Sequence, residues 1–385
     1  MIHHIIASID RKYGGPSYSV PALAHAQCAL GEAVGIHFVG EATFQETSGK
    51  AQPQLFSYAQ SCKHILPFVR ASVGMKKSLQ GLVHAPNILH VHGLWLLPNV
   101  YPARVCKKSI TSAKLVHSTR GMLSSVALSM SSWKKKPFWH LFQRKALEAA
   151  DCIHATAMSE LEEIRRLGIT SPVAVIPNGV SLPAEKKNVF PNRQKRTLLC
   201  LGRVHPKKNL DQLIAAWALV EQRYPNWSLR IVGPPELNYD IKLREQAREE
   251  NLQRVVIEGP VYGNDRIQTY RDADLFVLPT LNENFGLVVA EALAESLPVI
   301  CTKGAPWEGL VENQCGWWID HGIESLQQCL EHALSLPSER LHQMGRAGRT
   351  WVEKDFGWER AASDTIALYS WLGGQTHRPD FVYTI

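Results

Sequence analysis

Short apolar runs alternate with helix-like segments along most of the 385 residues of this chain. Several of these runs are almost continuously apolar, which is typical of strands buried on both faces of a parallel sheet. Regular alternation of such runs with helices predicts doubly wound α/β sheets. Strands are predicted at residues 2–9, 35–40, 87–92, 114–117, 151–155, 173–177, 197–202, 228–233, 254–258, 274–279 and 298–301. Helical patterns separate the strands, for example at residues 17–30, 136–149, 158–167, 209–224, 239–250, 285–296 and 323–335.

A change in composition divides the chain near its middle. The strand-like run that ends at Pro177 is followed by the turn sequence Asn178-Gly179 and by a polar, linker-like stretch at residues 181–196. A new apolar run begins directly afterwards. Two domains are therefore predicted, at residues 1–180 and 181–357, each of the size of a nucleotide-binding α/β domain.

Composition and charge restrict the class of protein. The chain is 45% hydrophobic, and no apolar run approaches the roughly 20 residues that span a bilayer. The N-terminus lacks the pattern of a secretory signal, and the eight cysteines include no C-x-x-C pair, so a cytoplasmic protein without disulfides or a zinc site is expected. Residues 1–180 contain 19 Lys+Arg and 9 Asp+Glu (net +10), whereas residues 181–385 contain 23 and 26 (net −3). The basic first half favours an anionic partner.

The segment 280–293 (Thr-Leu-Asn-Glu-Asn-Phe-Gly-Leu-Val-Val-Ala-Glu-Ala-Leu) joins a strand-like run to a helix. Glu283 precedes a Phe-Gly turn, and Glu291 lies eight positions further on, inside the helix. Carboxylates accept hydrogen bonds from hydroxyl groups, and the free N–H groups at a helix start bind anions such as a diphosphate. The segment thus has the parts of a nucleotide-sugar site, although an ordinary strand-loop-helix unit has the same spacing.

A basic loop follows the first strand of the second half. It contains Arg203 and Lys208, whose planar guanidinium and compact ammonium groups suit phosphate oxygens. Taken alone, such a loop is more typical of a solvated basic turn. No G-x-G-x-x-G follows the first strand and no G-x-x-x-x-G-K-[ST] occurs, which argues against a dinucleotide cofactor and against a P-loop.

Taken together, Gly202-Arg203, Lys208, Glu283 and Glu291 resemble the donor site of family-4 retaining glycosyltransferases in kind, order and spacing. The resemblance covers nearly the whole chain. Its supporting segments are Tyr-Gly-Gly-Pro-Ser at 13–17, His-Gly-Leu-Trp at 92–95, Ile-Pro-Asn-Gly-Val at 176–180 and Glu-Ser-Leu-Pro-Val-Ile at 295–300. Two further segments are similar to the subset that builds bacterial surface polysaccharides: Thr-Arg-Gly-Met-Leu at 119–123 and Lys-Gly-Ala-Pro-Trp-Glu-Gly at 303–309.

The resemblance implies a GT-B fold, in which two Rossmann-like doubly wound domains face each other across a cleft. The first domain would bind an acceptor and the second a nucleotide sugar. Glu283 would contact hydroxyls of the donor sugar, Glu291 would bind the ribose, and Arg203 and Lys208 would hold the diphosphate. The donor would lie along the loop and helix start formed by Asn284, Phe285, Gly286, Leu287 and Val288.

The resemblance also assigns residues outside the second domain. Gly14 and Gly15 follow the first strand, where a missing Cβ lets the backbone approach a ligand, although a plain turn would use the same residues. His117 resembles the family histidine that meets the donor sugar, and a lone histidine at a strand end is also commonly structural. Residues 358–385 would contribute a final helix, 358–372, that crosses back to the first domain. The polar tail beyond it is expected to be less ordered.

Neither a metal nor a cofactor is expected, apart from the nucleotide sugar as a substrate. Asp272-Ala273-Asp274 has the D-x-D form of a metal-binding triplet, but its context predicts the end of a helix and the entry to a strand. By resemblance, Arg203, Lys208 and helix amides would stabilise the leaving group instead.

Residues 133–140 (Trp-Lys-Lys-Lys-Pro-Phe-Trp-His) interleave cations with aromatic rings. Such a segment can lie on an anionic membrane surface, and the alternative is a helix start whose Phe138 and Trp139 face the core. The basic residues form no recognised nucleic-acid module, so no nucleic-acid partner is expected. The expected partners are a nucleotide-sugar donor and an oligosaccharide or lipid-linked saccharide acceptor, with the protein in the cytoplasm or on the cytoplasmic face of the membrane.

The resemblance implies a retaining hexosyltransferase that extends a bacterial surface polysaccharide. Glycosidases retain configuration through a nucleophilic carboxylate beside a second acid, and no such pair is evident here. Two alternatives remain open at this point: a nucleotide-sugar 2-epimerase of the same fold, and a non-catalytic saccharide- or lipid-binding protein.

Overall fold

The structure is a computed structural model, and it describes residues 1–10, 15–41, 51–61, 69–108, 112–129, 132–183 and 194–385. Residues 184–193 of the predicted linker therefore lie outside the described residues. The chain forms two compact units. The first comprises Met1–Gly179 and Trp358–Ile385, and the second comprises Val180–Gly357. The predicted divisions, after residues 180 and 357, lie within one residue of these bounds.

The described strands and helices alternate over most of the chain. The strands are β1 (Ile2–Ile6), β2 (Val34–Val39), β3 (Gln54–Tyr58), β4 (Ile88–His92), β5 (Lys114–Ser118), β6 (Cys152–Ala155), β7 (Val173–Val175), β8 (Arg196–Leu201), β9 (Trp227–Val232), β10 (Val255–Glu258), β11 (Leu275–Leu278), β12 (Val299–Thr302), β13 (Gly316–Ile319) and β14 (Val382–Tyr383). The helices are α1 (Pro16–Ala29), α2 (Val73–Leu82), α3 (Leu97–Lys108), α4 (Ser125–Ser129), α5 (Ser132–Phe138), α6 (Arg144–Glu148), α7 (Met158–Arg166), α8 (Leu210–Ala218), α9 (Tyr239–Glu249), α10 (Gly263–Arg271), α11 (Leu287–Ala294), α12 (Gly309–Glu312), α13 (Ile323–Ser335), α14 (Ser338–Asp355) and α15 (Trp358–Leu372).

Each unit is built on one sheet. In the described part of the first unit the strand order is β14-β7-β6-β5-β4-β1-β2-β3, and every neighbouring pair is parallel except β14 with β7. The second unit has the order β10-β9-β8-β11-β12-β13, with parallel pairs throughout. The predicted class, two doubly wound parallel sheets, is confirmed.

The strand order reverses once in each unit. In the second unit the chain moves outward from β8 to β10 and then returns to place β11 on the other side of β8. In the first unit the corresponding point lies between β1 and β4. Ligands of open α/β sheets bind outside the carboxyl ends of the strands at this switch point, so these two sheet edges are the places to look for a site.

Burial on both faces explains the apolar runs of the second unit. Every residue of β11 and β12 is buried. One apolar cluster surrounds the fully buried Trp217, and a second surrounds Trp307. Strands covered on both faces need no polar alternation, which is why these strands could be predicted from apolar runs alone.

The loops after β8 and β9 touch through glycines. A Cβ on Gly233 would lie 1.7 Å from the carbonyl oxygen of Gly202, and φ at Gly233 is 158°. Only glycine fits there. The close approach aligns the ends of two neighbouring strands at the switch-point edge.

Three strands and the nature of the tail were not predicted correctly. Strands β3, β13 and β14 were not predicted; β3 mixes polar and apolar residues and is largely exposed, and β13 is a four-residue strand whose residues are all only half-buried. The expectation of a less ordered tail is wrong: β14 pairs with β7, Val382 is 3% exposed, and Phe381 accepts a backbone hydrogen bond from Val175 at 2.9 Å. The helix predicted at 136–149 is α5, a π-helical turn at Trp139–Gln143 and α6.

The final helix belongs to the first unit, as the resemblance implied. It packs against α1, and Ala361 and Ala362 share a small apolar cluster with Leu23. No disulfide joins the seven cysteines among the described residues, and Cys62 lies outside the described part of the chain.

The packing of α14 generates the first prediction. A Cβ on Gly345 would lie 1.9 Å from the carbonyl oxygen of Ser296. We expect Gly345→Ala to lower the free energy of unfolding by about 1–3 kcal/mol, because the helix must move away from that backbone. Urea denaturation followed by circular dichroism measures the change. Gly259→Ala is the control, since a Cβ there meets nothing within 4 Å; equal losses in both variants would contradict the packing argument.

Candidate functional site

Two loops meet at the switch point of the second unit. The basic loop follows β8, and the acidic loop follows β11. The backbone N–H of Leu281 donates to the carbonyl oxygen of Lys207 at 3.0 Å, and the hydroxyl of Thr280 donates to the same oxygen at 3.3 Å. Because β8 and β11 are neighbours in the sheet, segments more than 70 residues apart come into direct contact.

An ion pair joins the two loops. The Nζ of Lys208 donates to Oε2 of Glu283, and the two side chains are 12% and 26% exposed. Burial alone raises the pKa of Glu283. The charge and hydrogen bond of Lys208, with smaller contributions from Lys207 and Arg203, outweigh burial and hold the pKa of the carboxyl below its ordinary value. Glu283 is therefore ionised at neutral pH.

Arg203 lies in the same basic loop but has a different partner. It is 56% exposed, and its Nη1 donates to Oε1 of Glu236 at 3.0 Å, in the segment that follows β9. Of the two cations that the sequence paired, Lys208 contacts the acidic loop, whereas Arg203 adds only its charge to the environment of Glu283.

The acidic loop ends at a left-handed glycine. Gly286 has φ of 77°, and a Cβ there would come within 3.3 Å of Cγ of Glu283 and 3.2 Å of Nε1 of Trp307. Helix α11 begins at the next residue, Leu287, and its first turn carries no acidic side chain. The N–H groups at this start, including that of Val288, form the positive end of a helix at the switch point.

Phe285 has a core role that the sequence did not reveal. Its side chain is 6% exposed and packs on Trp307 and Phe356, with ring centroids 5.2 and 5.7 Å away. Its carbonyl oxygen accepts a hydrogen bond from Nε1 of Trp307 at 2.5 Å. Only the backbone of Phe285 is therefore available for the predicted contact with a donor. Asn284, which precedes it, is half-buried.

Glu291 lies in the second turn of α11 and is held by helix α10. Its Oε2 accepts hydrogen bonds from the hydroxyl of Tyr270 at 2.7 Å and from Nη2 of Arg266 at 2.5 Å. The sequence analysis identified neither partner. The signal was present but weak: Arg266 and Tyr270 are four residues apart, and so share one face of α10.

A third segment supports the acidic loop. The backbone N–H of Glu283 donates to the carbonyl oxygen of Gly304 at 2.6 Å, and a Cβ on Gly304 would lie 2.1 Å from the carbonyl oxygen of Thr280. The segment 303–309 follows β12, the next strand of the sheet. The sequence singles out this segment only by its similarity to other family members. Its contact with the acidic loop, more than 20 residues earlier, leaves no local sequence pattern.

The predicted residues of the first unit lie at its own sheet edge. His117 is fully buried in β5, and its Nε2 donates to the carbonyl oxygen of Gly93 at 3.1 Å. Burial lowers the pKa of His117 to about 4, so the imidazole is neutral at neutral pH. Nδ1 of the same ring is buried and has no hydrogen-bond partner among the described residues. Gly15 is exposed immediately before α1, and Gly14 lies outside the described residues.

The D-x-D triplet has the structural role that its context predicted. Helix α10 ends at Arg271 and β11 begins at Leu275. The Oδ2 of Asp274 accepts a hydrogen bond from the backbone N–H of Thr197 at 2.8 Å, and Oδ1 of Asp272 accepts one from Gln268 at 3.0 Å.

The hydropathy of the described helices was also compared with that of membrane spans. None of these helices combines the length and the apolarity that crossing a bilayer requires.

Two family profiles match adjoining parts of the chain. The profile described as Glycosyltransferase Family 4 matches residues 13–183, and that described as Glycosyl transferases group 1 matches residues 183–351. The chain belongs to the family-4 glycosyltransferases. The division between the two profiles lies close to the division between the two units.

Curated relatives of this glycosyltransferase include enzymes with different substrates. It is 32% identical over 177 residues to a D-inositol 3-phosphate glycosyltransferase of Pseudarthrobacter chlorophenolicus, covering 45% of this chain and 42% of that relative. It is 25% identical over 317 residues to glycogen synthase of Mycobacterium tuberculosis, covering 78% and 72% of the two chains. The chain thus spans less than half of the first relative.

Solved structures resemble the glycosyltransferase over nearly its full length. Sucrose-phosphate synthase of Thermosynechococcus elongatus covers 97% of this chain and 99% of its own, with a TM-score of 0.74 and 20% identity. Anabaena HepE, solved with UDP and glucose, covers 96% and 99%, with a TM-score of 0.73 and 17% identity. The predicted GT-B fold is confirmed.

The buried ion pair generates a prediction about pH. Lys208→Met removes the positive partner, and we expect the free energy of unfolding to fall by about 1–3 kcal/mol near pH 7 and by less near pH 4. In the wild type the folded pKa of Glu283 is depressed, so the pair stabilises fully above the unfolded pKa and loses its effect as pH falls through the folded pKa. In the variant burial raises the pKa of Glu283 and is opposed only by the smaller effects of Lys207 and Arg203, so protonation on acidification relieves the charge that has lost its partner.

Urea denaturation at the two pH values measures this difference. Lys242→Met is the control, since Lys242 is 63% exposed and lies 3.5 Å from Asp211. A loss for Lys208→Met that is equal at both pH values would show that the ion pair is not its cause.

Proposed function

We propose that this glycosyltransferase moves a hexose, with retention of configuration, from a nucleotide diphosphate sugar to a hydroxyl of a lipid-linked oligosaccharide in bacterial surface polysaccharide synthesis. The observation that carries the proposal is the contact of Lys208 with Glu283 beside the start of α11. A cation, a carboxylate and a helix N-terminus together complement a diphosphate and the hydroxyls of a sugar. They lie at the switch point, where ligands of such sheets bind.

In the proposed reaction the enzyme positions the reactants and stabilises developing charge. Lys208 and the amides at the start of α11 would bind the diphosphate as it departs, without a metal ion in that role. Glu283 would accept hydrogen bonds from sugar hydroxyls, and Glu291 would accept them from the ribose. The departing phosphate would take the proton of the incoming hydroxyl on the same face of the sugar, which retains the configuration.

Two printed descriptions support parts of this proposal. HepE was solved with UDP and glucose, which favours a nucleotide sugar as the donor. The glycosyltransferase WaaG is described as involved in lipopolysaccharide biosynthesis; it matches 97% of this chain with a TM-score of 0.68 and 16% identity. The lipid-linked acceptor and the polysaccharide product are not given by either similarity and are part of the proposal.

The direct test measures nucleotide release from a panel of UDP- and GDP-hexoses, with and without a lipid extract as the acceptor source. Release that depends on the extract supports transfer. Exchange of the proton at C2 of the sugar without acceptor would identify an epimerase instead. Absence of nucleotide binding throughout the panel, measured as thermal shift, would leave a non-catalytic binding protein.

The exposed side chains of α5, the π-helical turn and α6 favour peripheral binding to an anionic membrane. Trp133 and Leu141 are 73% and 60% exposed, and Lys136, His140 and Arg144 are exposed on the same side at helical spacing. We call these five residues the outer stripe. Exposed apolar side chains flanked by cations suit the interface of an anionic bilayer.

The inward side chains of the same segment face the core, which is the alternative that the sequence left open. Phe138 and Trp139 pack against the core of the first unit. The Nζ of Lys135 donates to the carbonyl oxygen of Ala127 and lies 5.5 Å from the centre of the Trp95 ring. The proposed membrane surface therefore consists of the outer stripe alone.

The division of roles between the two glutamates is testable. We expect Glu283→Ala to lower turnover by ~100-fold with little change in the affinity for the nucleoside diphosphate, because its carboxylate would contact the sugar. Glu291→Ala should weaken nucleoside diphosphate binding by roughly tenfold, because it would lose hydroxyl contacts to the ribose. Calorimetric titration and initial rates measure the two effects. Loss of nucleotide binding in Glu283→Ala would contradict this division.

The membrane proposal is tested with vesicles. We expect the wild type to sediment with vesicles that contain anionic lipid, less so at high salt, and we expect Trp133→Ser with Leu141→Ser to weaken binding by roughly tenfold or more. The matched control is Leu237→Ser, which removes an apolar side chain that is 79% exposed in the second unit. Equal binding of neutral and anionic vesicles, or no effect of the double substitution, would contradict the proposal.

A further inference from the structure

Arg120 lies two residues beyond the end of β5, at the carboxyl edge of the first sheet. Its backbone has φ of 53°, in the left-handed region that few residues other than glycine adopt, and the residue is only 8% exposed. A strained backbone and a buried guanidinium both carry a cost in free energy, and such costs concentrate at functional positions.

Among the described residues, the hydrogen-bond partners of Arg120 are uncharged acceptors. Nη1 donates to Oδ1 of Asn178 at 2.5 Å and reaches Oγ of Ser19 at 3.5 Å, while Nη2 donates to Nδ1 of His92 at 2.9 Å. Nε is buried and has no hydrogen-bond partner in the part of the chain that the structure describes. Burial lowers the pKa of Arg120 to about 10, so the group is still a cation at neutral pH.

The nearby acid, Glu160, does not hydrogen-bond to this cation. Its Oε1 accepts from the hydroxyl of Thr119 and the N–H of Gly121, each at 2.5 Å. Its Oε2 accepts from the N–H and the hydroxyl of Thr156 at 2.7 and 3.2 Å. Both carboxylate oxygens are thus occupied by donors that shape the turn around Arg120, and the charge of Glu160 acts on the guanidinium only through space.

A chain of neutral side chains holds His92 in the orientation that accepts from Arg120. Since Nδ1 of His92 accepts, its Nε2 carries the proton and donates to Nδ1 of His4 at 2.8 Å. His4 in turn donates through Nε2 to Oε1 of Gln27 at 2.7 Å, and Nε2 of Gln27 donates to Thr365 of α15 at 2.9 Å. Burial lowers the pKa values of both histidines, so the chain is uncharged.

These histidines are not poised for a metal. His4, His90 and His92 have ring nitrogens close enough together to share an ion. Both nitrogens of each ring already have hydrogen-bond partners, those of His90 being Tyr369 and His154. The guanidinium beside His92 would also repel a second cation.

Other buried polar atoms point to a ligand at the same edge. Besides Nε of Arg120, five buried side-chain polar atoms of the described residues have no hydrogen-bond partner. They lie at the end of β5, in the segment after β4, or in a side chain that contacts that segment. They are Nε1 of Trp95, Oδ1 of Asn99, Nδ1 of His117, Oγ of Ser118 and Nε2 of Gln143. Donors and acceptors are mixed, which suits hydroxyl groups.

We propose that Arg120 binds an anionic oxygen, of a phosphate ester or a carboxylate, carried by the saccharide acceptor. An oxygen at Nε would give this group its missing partner and would neutralise a cation whose protein partners are uncharged. Asn178, whose Oδ1 accepts from the guanidinium, is half-buried, and Arg120 itself keeps 8% of its exposure. The assignment to the acceptor rests on the proposed transferase function. His92, His4 and Gln27 are positioning residues that hold the guanidinium in place.

The test separates this anion from the diphosphate of the donor. Calorimetric titrations are carried out with saturating UDP present, so that the second unit is occupied. The probes are glucose 6-phosphate, inorganic phosphate, glucuronate and glucose. We expect the anionic probes to bind and glucose to bind more weakly or not at all, and the phosphate and carboxylate arms tell which anion is preferred. Binding of glucose as tight as that of glucose 6-phosphate would overturn the proposal on the wild type, with no variant required to fold.

Variants then locate the site. We expect Arg120→Gln to weaken anion binding by about 10- to 100-fold and Arg120→Lys to weaken it less, with UDP affinity unchanged in both. Arg165→Gln is the matched control, because Arg165 is a half-buried arginine of the same unit that donates to the carbonyl oxygens of Ile169 and Ser171. Anion binding that survives in Arg120→Gln, or loss of UDP affinity there, would overturn the proposal. Failure of UDP to bind the wild type would instead count against the proposed transferase function.

Discussion

The pairing of Lys208 with Glu283 is the contact on which the arrangement of the candidate donor site depends. Each side chain is largely removed from solvent, and a buried charge without a partner costs several kcal/mol. The arrangement of the two loops is therefore more stable when they supply opposite charges to the same place. The strand order makes this possible, because β11 returns to lie beside β8. The same pair that stabilises the loops presents a carboxylate and a cation beside a helix N-terminus.

Close backbone packing around this pair restricts how the loops can move. Gly304 lies against Thr280, and Gly286 leaves room for Glu283 and Trp307 where a side chain would not fit. The segment after β12 therefore supports the acidic loop from one side, while the basic loop supports it from the other. Such support matters because electrostatic stabilisation of a reaction requires charges that are already in place.

The first unit uses a different kind of polar interior. Its sheet buries several histidines in a hydrogen-bonded chain of neutral groups, and a single arginine stands at the end of that chain. Neutral imidazoles can be buried because each one both donates and accepts a hydrogen bond. The arginine is different, since its hydrogen-bond partners are neutral, its Nε has none among the described residues, and Glu160 acts on its charge only through space. That imbalance is what gives the sheet edge its capacity for an anion.

The resemblance to a family singled out Arg203, Lys208, Glu283 and Glu291, whereas the sequence by itself determined the alternation of strands and helices and the division near residue 180. These features are local, because buried strands, helix starts and turns leave patterns over a few neighbouring residues. Only the tertiary structure decided that Lys208 meets Glu283 while Arg203 meets Glu236, that Arg266 and Tyr270 hold Glu291, and that Phe285 belongs to the core. It likewise decided that the polar tail ends in a strand and that His92 connects Arg120 to α15 through His4 and Gln27. The reason is that these contacts join segments tens to hundreds of residues apart, and the order of strands in the sheet, which no local pattern encodes, sets the distances between them.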